Sequence, residues 1–307
     1  MGHCAGGAHF CCFAAVMPDT STRRQMPITI IGGYLGAGKT TLVNHLLRYA
    51  NGKRLAVLVN EFGALPIDAD LIEAEEDNLI SLAGGCVCCS YGNDMMEAMV
   101  ELAKMEPRPD HVILEASGVA IPSMIAGSVS LFADYTMDGI VVLADVTTVR
   151  DHARDVYLSD TIQRQLANAD IILLNKTDLL SQEEVTQMQK WVAKQSPKSA
   201  ITPCVNGQVP LEVVLQDFDT DISSYKKDGH ASLKGFSTMF VQPDPVEDAL
   251  QFGKELIASN AGLVRAKGFV KETTGEFKTV QVVGKRLDVS PAPSGVEIGV
   301  VLIKRSV

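Results

Sequence analysis

An eight-residue segment near the start of the chain restricts the fold more than any other feature. Residues 33–40 read GYLGAGKT, which fits the pattern G-x-x-x-x-G-K-[S/T]. The β-branched run before it, 28–32, predicts a buried strand, and 40–49 after it has apolar residues at helical spacing. A glycine-rich turn between a strand and a helix directs main-chain amides, and the positive end of the helix dipole, at a phosphate group.

This segment therefore predicts a site for a nucleoside triphosphate. We expect Lys39 to reach the β- and γ-phosphates and the hydroxyl of Thr40 to ligate Mg²⁺. A glycine-rich turn that binds nothing is the alternative, and the flanking strand and helix argue against it. The residues assigned to the nucleotide here are Gly33, Gly36, Ala37, Gly38, Lys39, Thr40 and Thr41.

Further apolar runs repeat the order of strand and then helix. Continuous apolar strands that alternate with helices are typical of a parallel sheet covered on both faces. The predicted fold class is α/β, a doubly wound and mostly parallel sheet of the P-loop NTPase type. Besides the first strand, we expect strands at 54–60, 78–82, 111–115, 140–145, 171–174 and 200–204.

The pattern changes after about residue 218 and predicts a smaller C-terminal α+β domain. A polar stretch at 220–234 is typical of a linker. It is followed by predicted strands and by a helix, 245–259, that begins at Pro245. The strands are expected at 236–241, 263–271, 277–283 and 296–304, with a hairpin turn at 273–275. The expected division is a disordered tail or extended start at 1–26, a nucleotide domain at 27–218, a linker at 219–234 and a second domain at 235–307.

A second motif, NKTD at 175–178, predicts which base is bound. The carboxylate of Asp178 can accept two hydrogen bonds from N1 and N2 of guanine, a pair of donors that adenine lacks. Asn175 would support the loop, and the stem of Lys176 would pack on the base. A solvated helix-capping loop is the alternative. The position after a parallel strand, downstream of a phosphate loop, favours guanine.

Two acidic residues at predicted strand ends are candidates for catalysis. Glu115 ends the strand 111–115, where a carboxylate can hold Mg²⁺ through water or orient the attacking water. Glu61 follows the strand 54–60, and Asp68 comes shortly after it. Either of these two could touch the metal of the nucleotide or be an ordinary surface acid. The predicted catalytic residues are Lys39, Glu61 and Glu115.

Three cysteines lie within four residues, Cys86, Cys88 and Cys89, in the sequence GGCVCC. Thiolates at this spacing can converge on one soft cation such as Zn²⁺ or Co²⁺, and three ligands leave a coordination position open, which suits transfer of the ion. Two alternatives stay open. Cys86 and Cys89 form a C-x-x-C pair that could cycle as a disulfide, and buried cysteines can be small apolar core residues. Cys204, alone on a strand, is interpreted as packing.

The composition of the chain limits which binding partners and which cellular compartment are expected. The net charge is -10 over 307 residues and no basic block is present, so nucleic acid is not an expected partner. No apolar run approaches the roughly 18–20 residues of a membrane-spanning helix, so no membrane partner is expected. The seven cysteines are unevenly clustered, which argues against a secreted disulfide framework and favours the reducing cytoplasm.

Taken in order, the runs IIGGYLGAGKTTLVNHLL, VNEFG, GGCVCC, EASG and NKTD closely resemble the CobW-like metallochaperone GTPases, which are relatives of HypB and UreG. The resemblance covers about residues 27–304, and VRAKGFV at 264–270 is similar to the second domain of that family. It implies a GTPase that binds Zn²⁺ or a similar ion at the three cysteines and releases it, after GTP hydrolysis, to a client metalloenzyme. It places Glu61 in the switch segment and Glu115 on the Mg²⁺ side.

The sequence departs from the pattern of this family in one respect, and two other functions stay open. Many members carry a histidine-rich stretch in the linker or second domain, where this chain has only His230, so a single-ion site is expected rather than metal storage. The chain could instead be a regulatory GTPase switch that docks a partner enzyme, with cysteines that sense redox state or only pack. A nucleotide kinase is the third reading, and the NKTD motif argues against it. The client is not identified, and a homodimer is one oligomeric state that the sequence allows.

Overall fold

The computed structural model of the protein describes residues 25–50, 52–60, 79–84, 93–215, 232–233 and 235–305. Within these residues the chain forms a seven-stranded sheet and a six-stranded sheet. Every neighbouring pair in the first sheet is parallel, and every neighbouring pair in the second is antiparallel. The predicted class, a parallel α/β sheet followed by a smaller α+β unit, is confirmed.

The order of the parallel strands is β3-β2-β4-β1-β5-β6-β7. The strand that precedes the phosphate loop, β1, therefore lies between β4 and β5. The carboxyl ends of β4, β1, β5 and β6 line one edge of the sheet, which is where open α/β sheets bind ligands. The strands are β1 (Met26–Gly33), β2 (Leu55–Asn60), β3 (Leu79–Gly84), β4 (His111–Glu115), β5 (Tyr135–Asp145), β6 (Ile171–Asn175) and β7 (Ala200–Pro203).

Helices cover both faces of this sheet because its strands are apolar on both sides. Ile31 packs in a core with Leu42 and Leu46 of α1, whereas Ile30, on the other face, packs in a core with Met99 of α2. None of the described helices has both the length and the apolar composition of a transmembrane span. The helices are α1 (Lys39–Arg48), α2 (Asn93–Lys104), α3 (Pro122–Val129), α4 (Val149–His152), α5 (Ser159–Ala167), α6 (Gln182–Gln195) and α7 (Leu211–Val214), with a 3₁₀ turn at Thr177–Leu179.

The second sheet has the strand order β12-β11-β10-β13-β9-β8 and packs against the helix α8 (Ala249–Ser259). Leu256 of this helix lies in a core with Ala266 and Val280 of the sheet. The predicted hairpin joins β10 to β11. The strands are β8 (Ser232–Leu233), β9 (Phe236–Val241), β10 (Leu263–Lys271), β11 (Phe277–Val283), β12 (Arg286–Pro291) and β13 (Gly299–Arg305).

The structure differs from the sequence-based expectation at several boundaries. The helix predicted from Pro245 begins at Ala249, because Asp248 caps it by accepting a hydrogen bond from Leu250 N at 2.9 Å, while Val246 forms a β-bridge with Glu272. The last strand begins at 299 rather than 296. Residues 232–233, at the end of the predicted linker, form a short strand. Strand β12 was not predicted, because it is partly exposed and lacks a clear apolar face.

The second sheet contacts the amino ends of the parallel strands through buried charged groups. Arg265 is fully buried, and its Nη1 lies 2.9 Å from Oδ1 of Asp138. Its Nε and Nη2 donate to the carbonyl oxygens of Val213 and Val214 at 2.7 and 2.6 Å. Oδ2 of Asp138 accepts a hydrogen bond from Thr29 Oγ1 at 2.9 Å.

Three further residues complete this group. His111 Nε2 lies 2.8 Å from Thr29 Oγ1 and is fully buried. Arg286 Nη1 donates to Oδ2 of Asp170 at 2.8 Å, and its Nη2 donates to the carbonyl oxygen of Asp138 at 2.5 Å. We call these residues the amino-edge cluster: Thr29, His111, Asp138, Asp170, Arg265 and Arg286. The sequence analysis gave none of them a role.

Candidate nucleotide site

The phosphate loop requires glycine at specific positions. Gly33, Gly36 and Gly38 have φ values of 131°, 74° and 102°, in the region that side chains other than glycine rarely adopt. A Cβ atom at Gly33 would collide with the carbonyl oxygen of Leu143, and one at Gly38 would collide with the amide nitrogen of the Asn175 side chain. The loop is therefore folded tightly between β1 and α1, close to the ends of β5 and β6.

Lys39 and Thr40 lie at the start of α1, beside the end of β4. Lys39 Nζ donates to the carbonyl oxygen of Tyr34 at 3.4 Å, so the side chain folds back over the loop. Thr40 Oγ1 donates to Oε1 of Glu115 at 2.8 Å, and Glu115 is only 3% exposed. Hydroxyl and carboxylate oxygens are the hard donors that Mg²⁺ prefers, so this pair fits a magnesium ion. Thr41 is exposed on the same turn.

Asn175 connects the phosphate loop to the loop that follows β7. Its Nδ2 donates to the carbonyl oxygen of Ala37 at 2.9 Å, and its Oδ1 accepts a hydrogen bond from Gly207 N at 3.0 Å. The thiol of Cys204 lies 3.6 Å from the same Oδ1. With 2% of its surface exposed, Asn175 is a buried support for both loops rather than a ligand in contact with solvent.

Lys176 and Asp178 lie next to this support at the surface. Lys176 has a left-handed backbone, with φ of 63°, and its Nζ lies 2.7 Å from Oδ2 of Asp145. Asp178 is exposed in the 3₁₀ turn, which Thr177 fixes by donating from N and Oγ1 to the carbonyl oxygen of Cys204. An exposed carboxylate on a fixed turn is available to accept hydrogen bonds from a base.

Asp145 is a member of the site that the sequence analysis missed. Burial alone would raise its pKa, but hydrogen bonds from Lys176 and Thr147 outweigh burial and hold the pKa below its ordinary value. Thr147 donates to Oδ1 from both N and Oγ1, at 2.9 and 2.6 Å. The signal was present, because Asp145 ends a predicted strand at the same edge as Glu115 and Asn175.

The remaining predicted residues lie outside the described part of the chain. These are Glu61 and the three cysteines of the motif, together with Asp68. The strands that lead to them are described: β2 and β3 are paired in register, with Asn60 opposite Gly84 at their carboxyl ends. In sequence, Glu61 follows one member of this pair directly, and Cys86 follows the other by two residues.

Within the described ranges, no group of three or more His, Cys, Asp or Glu residues could hold a metal ion. Cys204 is buried, and burial raises the pKa of its thiol to about 12. A thiol that stays protonated is a poor metal ligand and a poor nucleophile. The interpretation of Cys204 as a packing residue agrees with its 6% exposure.

Comparison with known proteins adds the family. The nucleotide-binding domain model of the CobW/HypB/UreG family matches residues 27–203. The zinc chaperone CobW of a Sinorhizobium species is 29% identical over 307 aligned positions, which cover 86% of this chain and 87% of that protein. The zinc-regulated GTPase metalloprotein activator 1 of Schizosaccharomyces pombe is 34% identical over 211 positions. That match covers 66% of this chain but only 50% of the yeast protein.

Among solved structures, the Zn(II)-bound YjiA GTPase from E. coli aligns with 92% of this chain and 95% of its own, at 20% identity and a TM-score of 0.45. HypB from Helicobacter pylori, in complex with nickel, aligns with 67% of this chain and 90% of its own, at 18% identity and a TM-score of 0.42. The family model, which matches more than half of the residues, is sufficient: this chain belongs to the CobW/HypB/UreG family.

Proposed function

We propose that this protein is a GTP-hydrolysing metallochaperone. It binds a transition-metal ion, Zn²⁺ first and Co²⁺ as the alternative, at Cys86, Cys88 and Cys89, and transfers the ion to a client metalloprotein in the cytoplasm. The observation that carries the proposal is the pairing of Asn60 with Gly84. It sets the strand that leads into the cysteine motif at the same edge of the sheet as the phosphate loop.

The nucleotide half of the proposal assigns one task to each residue. Main-chain amides of the phosphate loop and Lys39 bind the phosphates, and Asp178 selects guanine. Thr40 and Glu115 would hold a magnesium ion, which would neutralise charge on the phosphate oxygens. Glu115, at the end of β4, is also proposed to orient the attacking water, and Glu61 is proposed to belong to the switch segment.

The metal half links the ion to the state of the nucleotide. Segments ordered by a γ-phosphate are released on hydrolysis in many switch proteins. In sequence, residues 61–78 and 85–92 come directly after β2 and β3, and both strands end at the same edge of the sheet as the phosphate loop. On this proposal, gain or loss of the γ-phosphate changes the thiolate geometry. Several relatives bear the name zinc chaperone, which supports Zn²⁺ ahead of Co²⁺.

Two matched variants test the proposal. One replaces Cys86, Cys88 and Cys89 with Ser, and the other replaces Cys4, Cys11 and Cys12, so that both remove three thiols. Zn²⁺ affinity is measured by chelator competition on reduced protein with GDP and with a GTP analogue. We expect the motif variant to lose the tight site and to bind GTP normally, and the tail variant to keep both.

Two results would contradict the proposal. Equal Zn²⁺ affinity with GDP and with the GTP analogue would remove the coupling and favour a regulatory switch that docks a partner enzyme. Unchanged Zn²⁺ stoichiometry in the motif variant would place the ion elsewhere.

We also propose the domain division at 27–218 and 235–307, which the separation into two sheets supports.

A further inference from the structure

A buried glutamine connects helix α5 to the loop that follows β4. Gln165 is 2% exposed. Its Nε2 donates to the carbonyl oxygen of Gly118 at 3.1 Å and to that of Ala120 at 2.8 Å. Both hydrogens of the amide group are therefore used on main-chain oxygens of one short loop.

The position of Gln165 on its helix is one at which an apolar residue would suffice for packing. It lies on the buried stripe of α5, next to Ile162 and Leu166. Burying an amide costs free energy unless its hydrogen bonds are made. Since the partners of Gln165 are 45 and 47 residues away in the sequence, its hydrogen bonds fix a distant loop and not the helix itself.

The loop held in this way contacts the phosphate loop. It begins at Glu115, and Ala116 N donates to the carbonyl oxygen of Ile31 at 2.8 Å. A Cβ atom at Gly118 would lie 2.8 Å from Leu35 N, so the main chains of the two loops are in contact there. Lys39 reaches Tyr34, which identifies 34–35 as the end of the phosphate loop nearest the terminal phosphates.

We propose that Gln165 is a positioning residue for GTP hydrolysis. It holds the loop 116–120 against Leu35 in the arrangement that the γ-phosphate and its attacking water require. This inference rests on the proposed hydrolysis of GTP. Loss of the two hydrogen bonds lets the loop move away from the terminal phosphate, where a displacement of about 1 Å can cost about 100-fold in rate. GDP has no phosphate at this end and is unaffected.

The main experiment compares Gln165→Leu with Gln163→Leu on the full chain. Gln163 is a matched control, since its Nε2 also donates from α5 to a main-chain oxygen, that of Ala153 at 3.3 Å, outside the loop. For Gln165→Leu we expect kcat for GTP to fall about 10- to 100-fold, with GDP affinity within twofold of wild type. We expect Gln163→Leu to behave as wild type.

A pH profile separates positioning from general packing. In Gln165→Glu, a carboxylate faces two carbonyl oxygens and cannot donate, whereas its protonated form can donate one hydrogen bond. Burial favours the protonated form as pH falls. We expect kcat of this variant, relative to wild type, to rise as pH is lowered from 8 towards 5. A ratio that does not change with pH would overturn the proposal.

A third measurement stands apart from turnover. The affinity for a non-hydrolysable GTP analogue, divided by the affinity for GDP, should fall in Gln165→Leu and in Gln165→Met. Two variants are used so that a folding defect in one of them does not decide the result. Wild-type protein that fails to hydrolyse GTP would refute the proposed function, while this ratio still tests the contact. An equal loss of affinity for both nucleotides, or a kcat within twofold of wild type, would overturn the role of Gln165.

Discussion

The two ends of the same parallel strands carry polar groups in opposite ways. At the amino edge, Thr29, His111 and Asp138 are at most 2% exposed, and hydrogen bonds and an ion pair join them to each other and to Arg265. At the carboxyl edge, Asp178 is exposed and Lys39 is partly exposed. The strands β1, β4, β5 and β6, which connect the two edges, are only 5 to 11 residues long.

This difference indicates that the amino edge contributes mainly to stability and the carboxyl edge mainly to ligand binding. A buried charge without a partner is costly, so the amino edge is stable only when the second sheet supplies Arg265 and Arg286. At the carboxyl edge, Asp178 and Lys39 are exposed enough to contact a ligand. Substitutions at the two edges should therefore have different signatures, in unfolding at one and in nucleotide binding at the other.

The largest effect is expected from Asp138→Ala at the amino edge. Removing one partner of a buried ion pair leaves Arg265 uncompensated, which costs about 3–5 kcal/mol of unfolding free energy. Chemical denaturation measures the change. Asp134→Ala is the control, since its ion pair with Arg108 is partly exposed and should contribute less than about 1 kcal/mol. A similar small loss in both variants would abolish the distinction between the edges.

Lys39→Ala should show the reverse signature at the carboxyl edge. Loss of a charged donor to phosphate costs about 1.5–3 kcal/mol, so GTP affinity should fall by up to about 100-fold. The unfolding free energy without nucleotide should stay close to wild type. Calorimetric titration measures the GTP affinity, and chemical denaturation measures the unfolding free energy. GTP affinity equal to wild type would refute the placement of the phosphates.

Asp178→Asn tests whether a residue of the carboxyl edge selects the base of the nucleotide. The amide replaces one acceptor by a donor, so GTP affinity should fall about 10-fold or more, whereas weak ATP binding should not change. Competition between the two nucleotides measures the ratio. An unchanged preference for GTP over ATP would remove Asp178 from base recognition.

Asp145→Asn should have the smallest effect, because the Asp145–Lys176 pair is only partly buried. We expect GTP affinity to fall about threefold, since such pairs contribute only modestly. The folded-state pKa of Asp145 lies below the ordinary value of 3.8. The stabilisation is therefore present above that pH and is lost as pH falls through the folded-state pKa.

Thermal unfolding across pH tests this assignment. The difference in midpoint between wild type and Asp145→Asn should be constant from about pH 5 to 7, should shrink as the pH falls below 3.8, and should be lost once the pH is below the folded-state pKa. Asp160→Asn is the control, because Asp160 is highly exposed in its pair with Arg164. A difference that persists at the lowest pH would show that the stabilising contact between Asp145 and Lys176 does not depend on the charge of Asp145.

Local sequence signals located the phosphate loop and the NKTD loop, although they missed Asp145, and they gave no indication of the amino-edge cluster. Gly33, Lys39 and Asn175 lie in motifs whose spacing dictates their geometry, and the strands around them are continuous apolar runs. His111, Asp138 and Arg265 have no such spacing, because their partners are brought together by packing across up to 127 residues. Gln165 could have been noticed as a polar residue on an apolar helical stripe, but its acceptors are main-chain atoms without a sequence signature.

The distance along the chain between Asp138 and Arg265 also affects how the protein is made. The ion pair spans 127 residues. At synthesis rates of about 5–20 residues per second, roughly 6–25 s separate the two residues as they leave the ribosome. During that interval the nascent nucleotide domain contains a carboxylate whose partner does not yet exist. The parallel sheet can complete its amino edge only after Arg265 has been synthesised, so termination before that residue would leave this domain incompletely folded.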